Sequence, residues 1–278
     1  MTVLEVLQSS TAYFKKRKID NPRLNAEHLL AHVLNRKRLE LYLEFERELD
    51  EAELKPLRDL VRRRGEGEPL QHLLGTVEFC GHTFLCDKRA MVPRPETEEL
   101  VELVKSEIRN PKSEILDVGT GSGVIALSLA AKFPEAEVHA VDVSDDALAL
   151  ARENAARLGL SERIRFAKGN LLDAIETDFD LIVANLPYVS LQDRQSLSRE
   201  VLRDPEVALF AGERGDELVR QLIEQAGTRL RPGGLLALET GVGQSDALLS
   251  FLAKKNYHDI ESKNDYSSTP RFLFARYG

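Results

Sequence analysis

Ile115-Leu116-Asp117-Val118-Gly119-Thr120-Gly121-Ser122-Gly123 is the stretch that decides the fold. A short apolar run of strand type ends in three alternating glycines, and a helical pattern through Leu127 and Leu129 follows. Glycines at such a turn let the chain reverse tightly and let a ligand approach the backbone. The helix beyond them starts with unpaired N–H groups. Alone, a glycine-rich strand-to-helix turn fits a nicotinamide enzyme equally well, or a turn that only packs.

Moving outward, the next strand pattern ends Ala140-Val141-Asp142-Val143-Ser144. Asp142 falls about 20 residues past the glycines, at the carboxyl edge of its strand, where a carboxylate can accept both hydrogen bonds of a ribose diol. Gly119, Thr120, Gly121, Ser122, Gly123 and Asp142 together predict a site for an adenosine-type cofactor. They leave NAD and S-adenosylmethionine both open.

The fourth strand pattern, Asp180 to Ala184, runs into Asn185-Leu186-Pro187-Tyr188. Open α/β sheets hold ligands at this edge. The sequence there suits methylation of an amide or aryl-amine nitrogen, whose delocalised lone pair makes it planar and a poor nucleophile. Two acceptors, the Asn185 side-chain oxygen and the Leu186 backbone carbonyl, can take both N–H groups and hold the nitrogen in line with an electrophilic methyl. Pro187 stiffens the turn, and Tyr188 offers a flat face. This reading favours S-adenosylmethionine. The plain alternative is an Asn-X-Pro loop that merely ends a strand.

Around these motifs strands and helices alternate. Strands are predicted over 114–118, 137–143, 163–167, 180–184 and 235–239, with helices over 145–158 and 216–230. Two further strands, 260–263 and 271–276, have no clear helix between them, so one is expected to run antiparallel. The fold class is α/β: a Rossmann-like, mostly parallel sheet. Residues 2–65 read as helices instead, with apolar stripes at Ala26, Leu29, Leu30, Val33, Leu34 and at Leu54, Leu57, Leu60, Val61. The segment 77–86 reads as a hairpin. The expected organisation is a helical domain over 1–70, a hairpin linker over 71–92 and a cofactor domain over 93–278. The basic runs 15–18, 36–38 and 62–64 read as a solvated face, or as a contact for an acidic partner.

The chain carries a net charge of -8 and a pI near 5.4. A protein that grips a phosphate backbone is usually basic, so nucleic acid is not the expected partner. Cys80 and Cys86 are too few for a disulfide scaffold and lack histidines at ligand spacing, so they read as reduced packing residues, and no metal is expected. Neither a signal peptide nor an ~18-residue apolar span is present, which predicts a cytoplasmic protein with no membrane partner. A monomer is the default expectation.

The order Asp-x-Gly-x-Gly-x-Gly, an acid ending strand two, then Asn-x-Pro-Tyr after strand four resembles the class I methyltransferases. Val92-Pro93-Arg94-Pro95-Glu96-Thr97-Glu98 narrows this. It is similar to the Pro-Arg-Pro-Glu-Thr-Glu signature of the release-factor glutamine methyltransferases of the HemK/PrmC type. The N-terminal helices, the hairpin and Gly233-Gly234-Leu235-Leu236-Ala237-Leu238-Glu239-Thr240-Gly241 resemble that group too, so the likeness spans essentially the whole chain.

The resemblance implies N5-methylation, with S-adenosylmethionine, of the Gly-Gly-Gln glutamine in class I peptide chain release factors. S-adenosylhomocysteine would be the product. It implies that Gly119 to Gly123 hold the methionine end of the cofactor, Asp142 the ribose, and Asn170 and Leu171 the adenine region. Asn185 and the Leu186 carbonyl would bind the glutamine amide, Arg94 and Glu96 would support the site or serve the structure alone, and the helical domain would recognise the release factor. One departure stands out. The family usually has Asn-Pro-Pro-Tyr, whereas Asn-Leu-Pro-Tyr is common in ribosomal-RNA adenine dimethyltransferases. Adenine N6-methylation of RNA or DNA is therefore the second reading, and a non-catalytic binding module on the same scaffold the third.

Overall fold

The computed structural model describes residues 1–173 and 175–278. They form two compact units, residues 1–76 with 198–203 and residues 77–197 with 204–278.

The first unit contains α1 (Val3–Lys16), α2 (Pro22–Leu34), a 3₁₀ turn at Arg38–Leu43, α3 (Glu51–Gly65) and the short α4 (Leu70–Leu74). Reciprocal capping fixes where α1 and α3 begin. Thr2 and Glu5 exchange side-chain-to-backbone hydrogen bonds, as do Asp50 and Glu53. Leu7, Phe14, Leu29, Leu30, Leu41 and Leu57 form the core. Within it the Glu27 carboxylate is 2% exposed and takes hydrogen bonds from Arg23, Arg38 and Tyr42. Burial acts to raise its pKa, but these three bonds outweigh burial and lower it.

The basic runs are not uniformly solvated. Arg38 is committed to Glu27, Arg62 to Asp59 and Glu66, and Arg63 to Glu68. Arg64 is buried and bonded to Asn25 and Glu200. Lys15, Lys16 and Lys18 are exposed.

The second unit runs through β1 (Thr76–Phe79), β2 (His82–Leu85), α5 (Pro95–Glu107), β3 (Glu114–Val118), α6 (Val124–Lys132), β4 (Glu137–Asp142) and α7 (Asp145–Arg157). It continues with β5 (Ile164–Lys168), β6 (Phe179–Asn185), α8 (Glu206–Leu209), α9 (Glu217–Ala226), β7 (Leu230–Glu239), α10 (Ser245–Leu252), β8 (Tyr257–Asn264) and β9 (Pro270–Tyr277). β1 and β2 pair as expected, with Cys80 and Gly81 both at positive φ, the backbone a two-residue hairpin turn of type I′ requires. Cys80 and Cys86 are free thiols, and burial pushes the Cys86 thiol up to about 12.

The seven other strands form one sheet in the order β5-β4-β3-β6-β7-β9-β8. β3 to β7 run parallel, and β9 runs antiparallel to both β7 and β8. Alternate residues leave opposite faces. Ile115, Val138, Leu181, Val183 and Ala237 meet α5 and α6 on one side. Leu116, Val141, Ile182, Ala184 and Leu236 meet α9 and α10 on the other. Helices on both faces explain why the central strands read as nearly continuous apolar runs.

Two of the helices of eight residues or more were not anticipated. α5 begins at Pro95 inside the signature segment, with Pro at the first helical position and Glu96 and Glu98 in its first turn. α10, eight residues long, lies between β7 and β8. No helix separates β8 from β9, and β9 is the antiparallel member, as the missing crossover suggested.

Candidate active site

From β3 the chain moves outward through β4 and β5, then returns to the other side of β3 as β6. Neighbouring strands that send their chains in opposite directions leave a crevice at their carboxyl ends. The glycine turn follows β3 and Asn185 ends β6, so topology alone brings the two motifs together.

Gly119, Gly121 and Gly123 all have positive φ. At Gly119 an added Cβ would lie 2.8 Å from Leu186 Cδ2, and at Gly123 2.9 Å from Leu127 Cδ1, so side chains are excluded there by both backbone and space. Asp117, fully buried beneath the turn, accepts the Thr120 hydroxyl at 2.6 Å and the Ala126 N–H at 3.1 Å through Oδ2. Burial pushes its carboxyl up to about 7, against the pull of those two bonds.

Asp142 closes the far side. Its Oδ2 accepts the Gly121 N–H at 2.8 Å and its Oδ1 accepts the Ser144 N–H at 2.9 Å. Burial raises its pKa while these bonds oppose the rise. Each oxygen keeps further lone pairs for a ligand. Gly169 donates to the Asp142 carbonyl at 3.0 Å, bringing Asn170 and Leu171 alongside, and Leu171 takes a left-handed φ of 50°.

At the opposite end, the Asn185 Nδ2 donates to the Thr97 hydroxyl at 2.9 Å, and Thr97 donates to Glu239 Oε2 at 2.8 Å. Thr97 and Glu239 are 3% and 1% exposed. The Asn185 Oδ1 is buried and has no hydrogen-bond partner among the described residues. A buried carbonyl oxygen without a donor is costly in a finished fold and so marks a place where a donor belongs.

A cavity of about 290 Å³ joins these parts. Gly119, Thr120, Gly121, Ser122, Asp142, Asn170, Leu171, Asn185, Leu186 and Pro187 all line it; Gly123 and Tyr188 do not. Gly123 is the N-cap of α6. Burial raises the Tyr188 pKa, with the Glu239 charge adding to the effect. Arg94 bonds Asp204 at 2.7 Å. Sequence reasoning gave no role to Ala90, Thr97, Val207 and Phe210 in the wall, or to Glu239 behind it. A usable signal existed for the last: a carboxylate ending the apolar strand Leu235–Glu239 must be partnered if buried. At the other edge of the sheet Glu114, Glu137 and His139 place ligand-type atoms within 4.8 Å of one another, where Arg165 already engages Glu137 at 2.9 Å.

The residues suit S-adenosylmethionine. The cradle at Gly119 and Gly121 admits ligand where a Cβ would intrude, Asp142 offers a carboxylate, and Asn185, whose buried oxygen has no partner among the described residues, lines the same cavity.

Comparison with known proteins agrees. Residues 5–75 match the model of the PrmC N-terminal domain, and residues 95–215 that of the methyltransferase small domain. The release factor glutamine methyltransferase of Chlorobaculum tepidum is 41% identical over 98% of this chain and 96% of its own. That of Deinococcus radiodurans is 41% identical over 99% of each chain, and that of Escherichia coli 36% identical over 93% of each. Among solved structures, the ribosomal protein L11 methylase of Lactobacillus delbrueckii matches with a TM-score of 0.52 and 26% identity, over 68% of this chain and 82% of that one. The 16S rRNA guanosine methyltransferase of T. thermophilus, with a TM-score of 0.53 and 20% identity over 73% of this chain and 50% of that one, shares the fold. No described helix is long and apolar enough to cross a membrane. Of the three readings of the sequence, the comparisons bear out the first: this chain belongs to the release factor glutamine methyltransferase family.

Proposed function

We propose that this protein methylates the side-chain amide nitrogen of the Gly-Gly-Gln glutamine in a peptide chain release factor, using S-adenosylmethionine. The observation that carries the reading is the Asn185 Oδ1, buried and without a partner among the described residues, on a residue that lines the same cavity as the glycine turn and Asp142. Release factors are named as substrates by the relatives, and the site chemistry asks for a planar N–H donor.

S-adenosylmethionine supplies an electrophilic methyl group. Gly119 to Ser122 would accept its amino-acid end, Asp142 its ribose, and Asn170 and Leu171 its base. Asn185 Oδ1 and the Leu186 carbonyl accept the two N–H groups of the glutamine amide. Accepting both fixes the plane of the amide and favours electron density on nitrogen as its new carbon–nitrogen bond forms. The apolar wall of Leu186, Val207 and Phe210 limits water around the reacting nitrogen. One amide proton then leaves to solvent, which restores a neutral secondary amide. The helical unit would contact the body of the release factor, with Lys15, Lys16 and Lys18 free to meet acidic residues.

Mass spectrometry of a purified class I release factor, after incubation with this enzyme and S-adenosylmethionine, tests the reading. One added methyl on the Gly-Gly-Gln glutamine is expected. An unmodified factor, with cofactor binding verified separately, would refute it.

A further inference from the structure

Asparagine's carboxamide can present either its oxygen or its NH2, and the two ends have nearly the same shape. The substrate amide is itself a donor, so only one orientation is useful. The Asn185 side chain must therefore be told which way to face, and residues beyond the cavity do this.

Glu239 when ionised can only accept. Thr97 has a single hydroxyl proton, and the 2.8 Å contact commits it to Glu239. The hydroxyl's lone pair then requires a donor at 2.9 Å, which only the NH2 end of Asn185 provides. The oxygen is left without a partner among the described residues, on a residue that lines the cavity. If Glu239 were protonated, it could donate to Thr97, whose proton could then turn to Asn185. The carboxamide would reverse and present NH2 to an NH2.

We propose that Thr97 and Glu239 are positioning residues, and that the negative charge of Glu239, relayed through the Thr97 hydroxyl, keeps the Asn185 carboxamide oxygen facing the substrate. This rests on the reading of Asn185 as the amide acceptor.

The surroundings hold Glu239 near a switching point. Burial pushes its carboxyl up to about 7, while the Thr97 bond and the positive charges of Arg271 and Arg94 pull down and Glu96 pushes up. These groups lie on β9, at the start of α5 and on α5 itself; Tyr188, beyond β6, also feels the Glu239 charge. Register supports the arrangement, since Asn185 and Glu239 are Cα partners across β6 and β7.

The test compares Thr97→Val, Thr97→Ser, Glu239→Gln and Asn185→Ala in the full chain, with kcat, KM and cofactor affinity measured for each. Thr97→Val keeps the shape and removes the relay; kcat should fall about tenfold or more, with cofactor Kd within about threefold of wild type. Thr97→Ser restores the hydroxyl and should restore kcat to within about threefold. Wild-type kcat should fall as pH drops below about 7, and Glu239→Gln should lose that acid limb. In the protein without cofactor, the 15N-labelled Asn185 side-chain amide signal should follow the same titration. Thr97→Val at wild-type kcat beside an inactive Asn185→Ala would overturn the relay alone. A fully active Asn185→Ala would overturn the acceptor reading and the relay with it. If Thr97→Val does not fold, an acid limb unchanged in Glu239→Gln overturns the proposal.

Discussion

Asn185 and Glu239 sit opposite one another as Cα partners in the ladder of β6 and β7, and one buried hydroxyl, that of Thr97, joins their side chains. Asn185 thereby meets the site with an acceptor fixed in place before any substrate arrives. Truncation at this position removes the acceptor and nothing of the cofactor cradle around Gly119 and Asp142. Asn185→Ala is expected to lower kcat by about 100-fold or more while cofactor Kd changes by no more than a few-fold. Steady-state kinetics with calorimetry checks this, and near-normal turnover would remove Asn185 from the chemistry.

Asp142 ties two turns as well as facing the cavity, through Gly121 on one oxygen and Ser144 on the other. Its replacement should therefore loosen the glycine turn and delete a ribose acceptor together. For Asp142→Ala we expect cofactor Kd to rise at least about tenfold, the scale of a lost charge-assisted hydrogen bond. An unchanged calorimetric affinity would show that the ribose is held elsewhere.

Asp117 gives stability an unusual dependence on pH. Its folded pKa, pushed up to about 7, lies above the unfolded value of about 3.9. The folded state thus binds this proton more tightly, so the contribution of Asp117 to stability falls as pH rises from about 4 to about 7 and is constant above. Asparagine does not titrate. Between pH 5 and pH 8, Asp117→Asn should gain about 3 kcal/mol on the wild type, at about 1.4 kcal/mol per tenfold change in proton affinity. Urea unfolding at both pH values measures it, and a pH-independent difference would give Asp117 an ordinary carboxyl.

Most arginines in the helical unit are engaged with carboxylates of the same unit, whereas the three lysines after Phe14 have no ion pair among the described residues. Reversing Lys15, Lys16 and Lys18 to glutamate should raise KM for an intact release factor by about tenfold at moderate salt. Turnover of a short Gly-Gly-Gln peptide should be unchanged. Equal efficiency on the intact factor would exclude this face from recognition.

The sheet and the glycine turn at its edge were legible in the sequence because both depend on local rules. Glycine at positive φ and apolar runs buried on two faces leave marks within ten residues of where they act. α5 was missed because its first turn coincides with Pro93-Arg94-Pro95, a segment read for its motif and not for the stripe Leu100, Val101, Val104 beyond it. α10 is barely two turns long. The relay behind Asn185 was invisible for a different reason: 88 residues separate Thr97 from Asn185 and 142 separate it from Glu239. No window of sequence contains that contact. The fate of Arg64 was equally hidden, since its partner Glu200 lies 136 residues away.

β9 follows both β7 and β8 in the chain yet lies between them in the sheet, with Phe272 beside Glu239. During synthesis, a chain that has emerged only as far as β7 already carries every residue lining the cavity. Its Glu239 would still lie on a strand edge that β9 has yet to cover. On the proposed relay, the setting of the Asn185 carboxamide would be completed only as residues 270–277 take their place.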